Sequence, residues 1–153
     1  MARLLVVHHT PSPDMHSMLQ SVADGARSAA EALDADLEVV LRPALGATVP
    51  DVLEADGFLL GTPANFGYMS GALKHFLDTV YYPCLDATGG RPWGLWVHGN
   101  NDVDGAILAV ERIVTGLGWA DVRPPVTVIG TPTDDDREQL WDLGAVVAAA
   151  LLD

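Results

Sequence analysis

Five short and mostly unbroken apolar runs, at residues 4–7, 37–41, 58–60, 95–97 and 126–129, are separated by segments with a helical period. An unbroken run marks a strand covered on both faces, as inside a parallel sheet, whereas a strand with one wet face alternates. Between the runs, Met15, Met18, Leu19, Val22, Ala26 and Leu33 fall at helical spacing, as do Leu73, Phe76, Leu77 and Val80. Ala106, Val110, Ile113, Val114 and Leu117 repeat the pattern, and a last helix turns Leu140, Leu143, Val147, Ala150 and Leu151 inward. Residues 49–55 leave room for only a turn or two of helix after Pro50. Regular alternation of strand and helix predicts an α/β fold with a parallel sheet and right-handed crossovers. With no internal repeat and no linker-like stretch, residues 1–153 read as one domain.

Charge narrows the range of partners. Eight Lys and Arg against 21 Asp and Glu give a formal net charge of −13. Nucleic-acid binding rests on cations that neutralise phosphates, so this balance argues against it and favours a basic partner instead. No apolar stretch reaches the ~18 residues of a membrane span; residues 143–152 are too short and Gly144 interrupts them. Residues 4–7 are too short for the core of a secretory signal, and the single Cys84 suits a reducing compartment. The expectation is a soluble, cytoplasmic protein.

Other conspicuous residues read as structural. His8 and His9 are adjacent and would face opposite sides of a strand, and no cysteine or carboxylate stands at ligand spacing, so no metal site is expected. A nucleophile turn of the G-x-S-x-G kind is absent. Cys84, just past a helix, reads as a buried or half-buried thiol, and the four tryptophans read as packing. Asp134, Asp135 and Asp136 stand where a helix begins, a position that favours negative charge.

In an open parallel sheet, ligands bind beyond the carboxyl ends of the strands, which here means the loops at residues 8–15, 62–69 and 98–104. In the first, Ser12 suits a helix N-cap and Pro13 a first helical residue. The free N–H groups of such a start attract phosphate, and Thr10, Ser12 and Ser17 add hydroxyls. The loop also reads as a plain capped helix start, because Pro11 and Pro13 carry no N–H and Asp14 brings a carboxylate. In the second loop Gly67 lets the backbone approach a flat ring, Phe66 or Tyr68 can stack on one, and Asn65 both donates and accepts. Phe66 reads equally well as a core aromatic.

The second loop runs Gly61-Thr62-Pro63-Ala64-Asn65-Phe66-Gly67-Tyr68-Met69-Ser70-Gly71, and its helix carries Phe76-Leu77-Asp78. This resembles the flavodoxin-like NAD(P)H:quinone oxidoreductases and NAD(P)H-dependent FMN reductases, whose segment is G-T-P-x-x-F-G-x-M-S-G followed by a helix with F-L-D. In the same register, Thr10, Met15, Ser17 and the run Val22-Ala23-Asp24-Gly25-Ala26 fall on the family's phosphate loop and first helix, and residues 138–151 resemble its closing helix. The resemblance implies a flavodoxin-like, three-layer, doubly wound sheet of five parallel strands in the order 2-1-3-4-5, with FMN at the loops after strands one, three and four. Thr10, Ser12, Met15 and Ser17 would then lie at the phosphate. Pro63, Ala64, Asn65, Phe66 and Gly67 would border the isoalloxazine, with His98, Gly99, Asn100 and Asn101 on its other side.

The implied activity is transfer of hydride from NAD(P)H to FMN and of electrons onward to quinones or other small acceptors. The flavin carries that chemistry, so no side chain is assigned as catalytic. The chain departs from the pattern at Pro13, where the family often has glycine, at Asp14, and in a third loop poorer in glycine. Residues 118–130 stand where larger members carry an extra segment contributing to quinone pockets and tetramers. Compact length and acidity also fit a flavodoxin-like electron carrier with a basic redox partner, and Pro11, Pro13 and Asp14 fit a flavin-free, partner-binding domain. The resemblance further allows a homodimer, since many enzymes of this type place the flavin near a subunit boundary.

Overall fold

A computed structural model describes residues 1–153. The elements follow in the order β1 (Ala2–His8), α1 (Pro13–Ala32), β2 (Leu37–Pro43), α2 (Val49–Glu54), β3 (Gly57–Asn65), β4 (Tyr68–Met69), α3 (Gly71–Cys84), β5 (Pro92–Gly99), α4 (Asp104–Leu117), β6 (Ala120–Asp121), β7 (Val126–Ile129) and α5 (Asp134–Leu152). The main sheet is parallel and ordered β2-β1-β3-β5, with β6 and β7 both lying against β5. This is the expected 2-1-3-4-5 arrangement with its fifth strand divided. β6 pairs with Pro92 and Trp93, and β7 with residues 96–99. Pro124 and Pro125 lie between them; without N–H groups they cannot continue the ladder.

The unbroken apolar runs are explained by the two layers of helix. In β1, Leu5 and Val7 join a core beneath α2, α3 and α4, while Leu4 and Val6 join a second core beneath α1 and α5. β3 divides in the same way, Phe58 and Leu60 to the first side and Leu59 to the second. All seven of these side chains are fully buried, each contributing about 1.5–3 kcal/mol of transfer free energy. At the sheet's edge only one face is covered, and β7 alternates accordingly, with Val126 and Val128 buried and Thr127 and Ile129 exposed.

Local signals set the helix boundaries. Ser12, Thr48, Ser70 and Thr133 each cap a helix by accepting the N–H three residues on. Each cap is worth about 1 kcal/mol. The three aspartates form the first turn of α5, and Asp136 closes a capping box on Thr133. Helix α1 ends at Ala32 as Asp34 turns left-handed, so Leu33 is exposed rather than inward-facing. Trp93, Trp96 and Trp119 are buried, whereas Trp141 is 43% exposed. Its backbone lies at the crossing of α1 and α5, where a Cβ on Gly25 would stand 1.9 Å from the Trp141 carbonyl oxygen. Reciprocally, a Cβ on Gly144 would stand 2.0 Å from the Val22 carbonyl oxygen.

Candidate functional site

The carboxyl ends of β1, β3 and β5 are neighbours: His8 stands opposite Gly61, and Pro63 opposite His98. All three proposed loops therefore open at one edge of the sheet. The second differs in form from the expectation. Pro63, Ala64 and Asn65 belong to β3 itself, which continues into a hairpin with β4, Asn65 pairing with Tyr68. Phe66 (φ 51°) and Gly67 (φ 72°) are both left-handed. That is the two-residue turn that strand twist favours, and a left-handed aromatic is an uncommon cost at its first position. The Phe66 ring is fully exposed at the tip. It is not a core aromatic.

At the end of β1, Ser12 caps α1 by accepting the Met15 N–H at 3.2 Å, and Pro13 begins the helix. Met15 is buried under the helix and Ser17 is half-buried. His8 Nδ1 lies 3.1 Å from the Thr10 hydroxyl. Burial, reinforced by the neighbouring imidazoles of His16 and His9, holds His8 below the usual histidine range. The backbone N–H groups of Thr10, Ser12 and Asp14 have no partner within the protein. His9 Nδ1 is likewise buried without a partner.

Of these, His9 and Thr10 line, with His8 and Pro11, a cleft of about 240 Å³ whose other wall is Pro43, Ala44 and Leu45 after β2 and Ala72 at the start of α3. The sequence reading missed that wall. Parallel pairing of β2 with β1 carries Pro43 to the level of His8, and this follows only once the register is known. Three free amides, two hydroxyls and an orphaned imidazole nitrogen form a donor set fit for a phosphate. Pro11 and Pro13 remove donors without emptying it.

In the third loop, His98 and Gly99 end β5 and Asn100 and Asn101 are exposed. The His98 Nε2 lies 2.8 Å from the Gly130 carbonyl, and the Gly130 N–H donates to the Gly99 carbonyl at 2.9 Å. His98 thus fastens β5 to the loop after β7. Asn101 and Asp102 accept backbone N–H groups from Asp102 and Asp104, which shape the turn into α4. The hairpin rests on this turn: a Cβ on Gly105 would stand 2.0 Å from the Gly67 carbonyl oxygen, and one on Gly99 3.4 Å from the Ala64 Cβ. No group of three or more His, Cys, Asp or Glu could hold a metal ion. Cys84 is fully buried, and burial pushes its thiol up.

Residues 10–133 match the NADPH-dependent FMN reductase family. The chain belongs to that family. It is 39% identical over 118 residues to a flavodoxin of Aquifex aeolicus, covering 77% of this chain and 53% of that one. It is 31% identical over 121 residues to an NAD(P)H dehydrogenase (quinone) of Geobacter sulfurreducens, covering 63% and 51% respectively. The chain therefore spans about half the length of these curated relatives. A flavodoxin from the domain Archaea has the same fold, with a TM-score of 0.82, 17% identity and 99% of both chains covered.

Proposed function

We propose that residues 1–153 act as one flavodoxin-like domain that binds FMN and passes electrons from NAD(P)H to quinones or other small acceptors. The observation that carries the reading is the donor set at the end of β1, with free amides at Thr10, Ser12 and Asp14 and an unpartnered His9 Nδ1. It coincides with membership of the FMN reductase family and with relatives named NAD(P)H dehydrogenase (quinone). Thr10 and Ser12 would hold the phosphate. Met15, buried below, and Ser17 support the loop.

Pro63 and Ala64 set the hairpin's root, Asn65 offers both a donor and an acceptor to the ring edge, and Phe66 offers an exposed face for stacking. Gly67 supplies the left-handed second position of the turn. Gly99, Asn100 and Asn101 bound the opposite side, and His98 acts on the site by fastening Gly130. Bound FMN would supply hydride and electron transfer, and the chain's own residues bind and orient the ring.

The test is a fluorescence titration of the flavin-free protein with FMN, followed by NAD(P)H oxidation with a soluble quinone. FMN quenched at one equivalent, with oxidation that requires it, is the expected result. Absence of FMN binding at about 100 µM, a binding free energy weaker than about 5 kcal/mol, would refute the reading. A relative named flavodoxin and the charge of −13 favour a second reading, an electron carrier for a basic partner. FMN binding without NAD(P)H oxidation would select it. No helix of the chain is long and apolar enough to cross a membrane.

A further inference from the structure

Seven of the eight Lys and Arg side chains are engaged within the protein. Arg3, Arg27, Arg42, Lys74, Arg123 and Arg137 face carboxylates, and Arg91 donates to four backbone carbonyls around α2 and α3. Arg112 on α4 is the exception, with neither a carboxylate within ion-pair distance nor a hydrogen bond. It lines a groove of about 580 Å³ between α3 and α4. The same groove gathers all three tyrosines of the chain, Tyr68, Tyr81 and Tyr82, with Leu77 and Leu108 among its apolar walls. Tyr82 and Leu108 are 81% and 51% exposed.

We infer that this groove is a binding site for a small aromatic molecule bearing one carboxylate. Its volume and its apolar, aromatic lining with few polar groups suit a small ligand. The charge specifies the ligand further. Asp78, the acidic residue lining the groove, is matched by Lys74 at 2.6 Å, so Arg112 leaves the groove with one positive charge on a molecule whose net charge is −13. A guanidinium offers a planar fork of donors that a carboxylate accepts in pairs, and tyrosine rings beside it take the aromatic body. Helix packing holds the walls in place: a Cβ on Gly116 of α4 would stand 2.2 Å from the Tyr81 hydroxyl, so α3 and α4 are in close contact at one end of the groove. A second copy of the chain is a poorer occupant, because two molecules of net charge −13 repel each other.

The inference stands apart from flavin binding and is tested by calorimetric titration of the purified full chain with 2-naphthoate and its uncharged counterpart, 2-naphthamide. The naphthoate is expected to bind about five-fold more tightly than the amide, an exposed charge pair being worth at most that order. Arg112→Gln should abolish the preference while leaving the amide's affinity unchanged, and Arg112→Lys should restore part of it. Arg137→Gln, which removes a cation elsewhere, should leave the preference intact. Absence of binding by both probes at about 1 mM would overturn the assignment. So would a carboxylate preference that survives in Arg112→Gln. Light scattering that shows a dimer dissociated by Tyr82→Ala would overturn it too, and would give the groove to a second copy.

Discussion

At the scale of single residues, Asp14 and His8 carry separate consequences around the first loop. Asp14 stands in the first turn of α1, where its carboxylate satisfies the helix but opposes a phosphate at the same end. Replacing it should therefore favour the ligand more than it harms the helix. Asp14→Asn is expected to tighten FMN about five-fold, the equivalent of roughly 1 kcal/mol, in a fluorescence titration. Riboflavin, which lacks the phosphate, should bind both proteins equally, and an equal gain for riboflavin would mean that Asp14 acts on the ring. His8 gives a prediction about pH. Its folded value is held below the unfolded one of about 6.5, chiefly by burial, so the unfolded chain binds the proton more readily. The stability it contributes is complete above the unfolded value and is lost as pH falls through the folded one. The urea midpoint should be lower near pH 5.5 than near pH 7.5, and His8→Asn should narrow the difference; an unchanged gap would place the effect on another group.

At the scale of elements, the crossing of α1 and α5 depends on two glycines facing two backbones. A methyl group at Gly144 would sit on the Val22 carbonyl, which belongs to rigid helix and cannot swing aside. Gly144→Ala should cost about 2–3 kcal/mol and lower the thermal midpoint by roughly 5–10 °C, read by circular dichroism. An unchanged midpoint would show that the helices slide apart freely. The sequence shows the glycines but not the crossing, because contact between distant backbones leaves no periodic trace.

The same distinction runs through the fold. Runs such as residues 4–7 and 95–97 made the covered strands legible, and Ser12 and the run Asp134–Asp136 marked helix starts, whereas the caps at Ser70 and Thr133 emerged only with the structure. β4 was not legible, since a two-residue strand has no period and its turn places Phe66, rather than asparagine or glycine, in the left-handed region. Nor was the break in the fifth strand, although Pro124 and Pro125 signal it once β6 and β7 are seen to share a partner. At the candidate site, the Ser12 cap was legible from helix-start chemistry, and Thr10 only as a neighbouring hydroxyl. The wall at residues 43–45 depends on register across β1 and β2, which no local pattern encodes.

At the scale of the whole molecule, charge sets how fast the proposed ligands arrive. FMN and NAD(P)H are both anions, and they approach a chain of net charge −13 with only one unengaged Lys or Arg, Arg112. The free amides at residues 10–14 act over a few ångströms, whereas the net field extends over a Debye length, about 30 Å at 10 mM salt and about 8 Å at 150 mM. Raising salt between those limits should therefore speed FMN association, by about ten-fold for a dianion, with riboflavin unaffected. Stopped-flow quenching of flavin fluorescence measures both rates. The dissociation rate should change far less, because a docked phosphate meets its donors at distances that salt does not screen. An FMN association rate that falls with salt would instead mean that the donors at residues 10–14, with His9 and His16 beside them, present a locally positive mouth that outweighs the acidity of the whole chain.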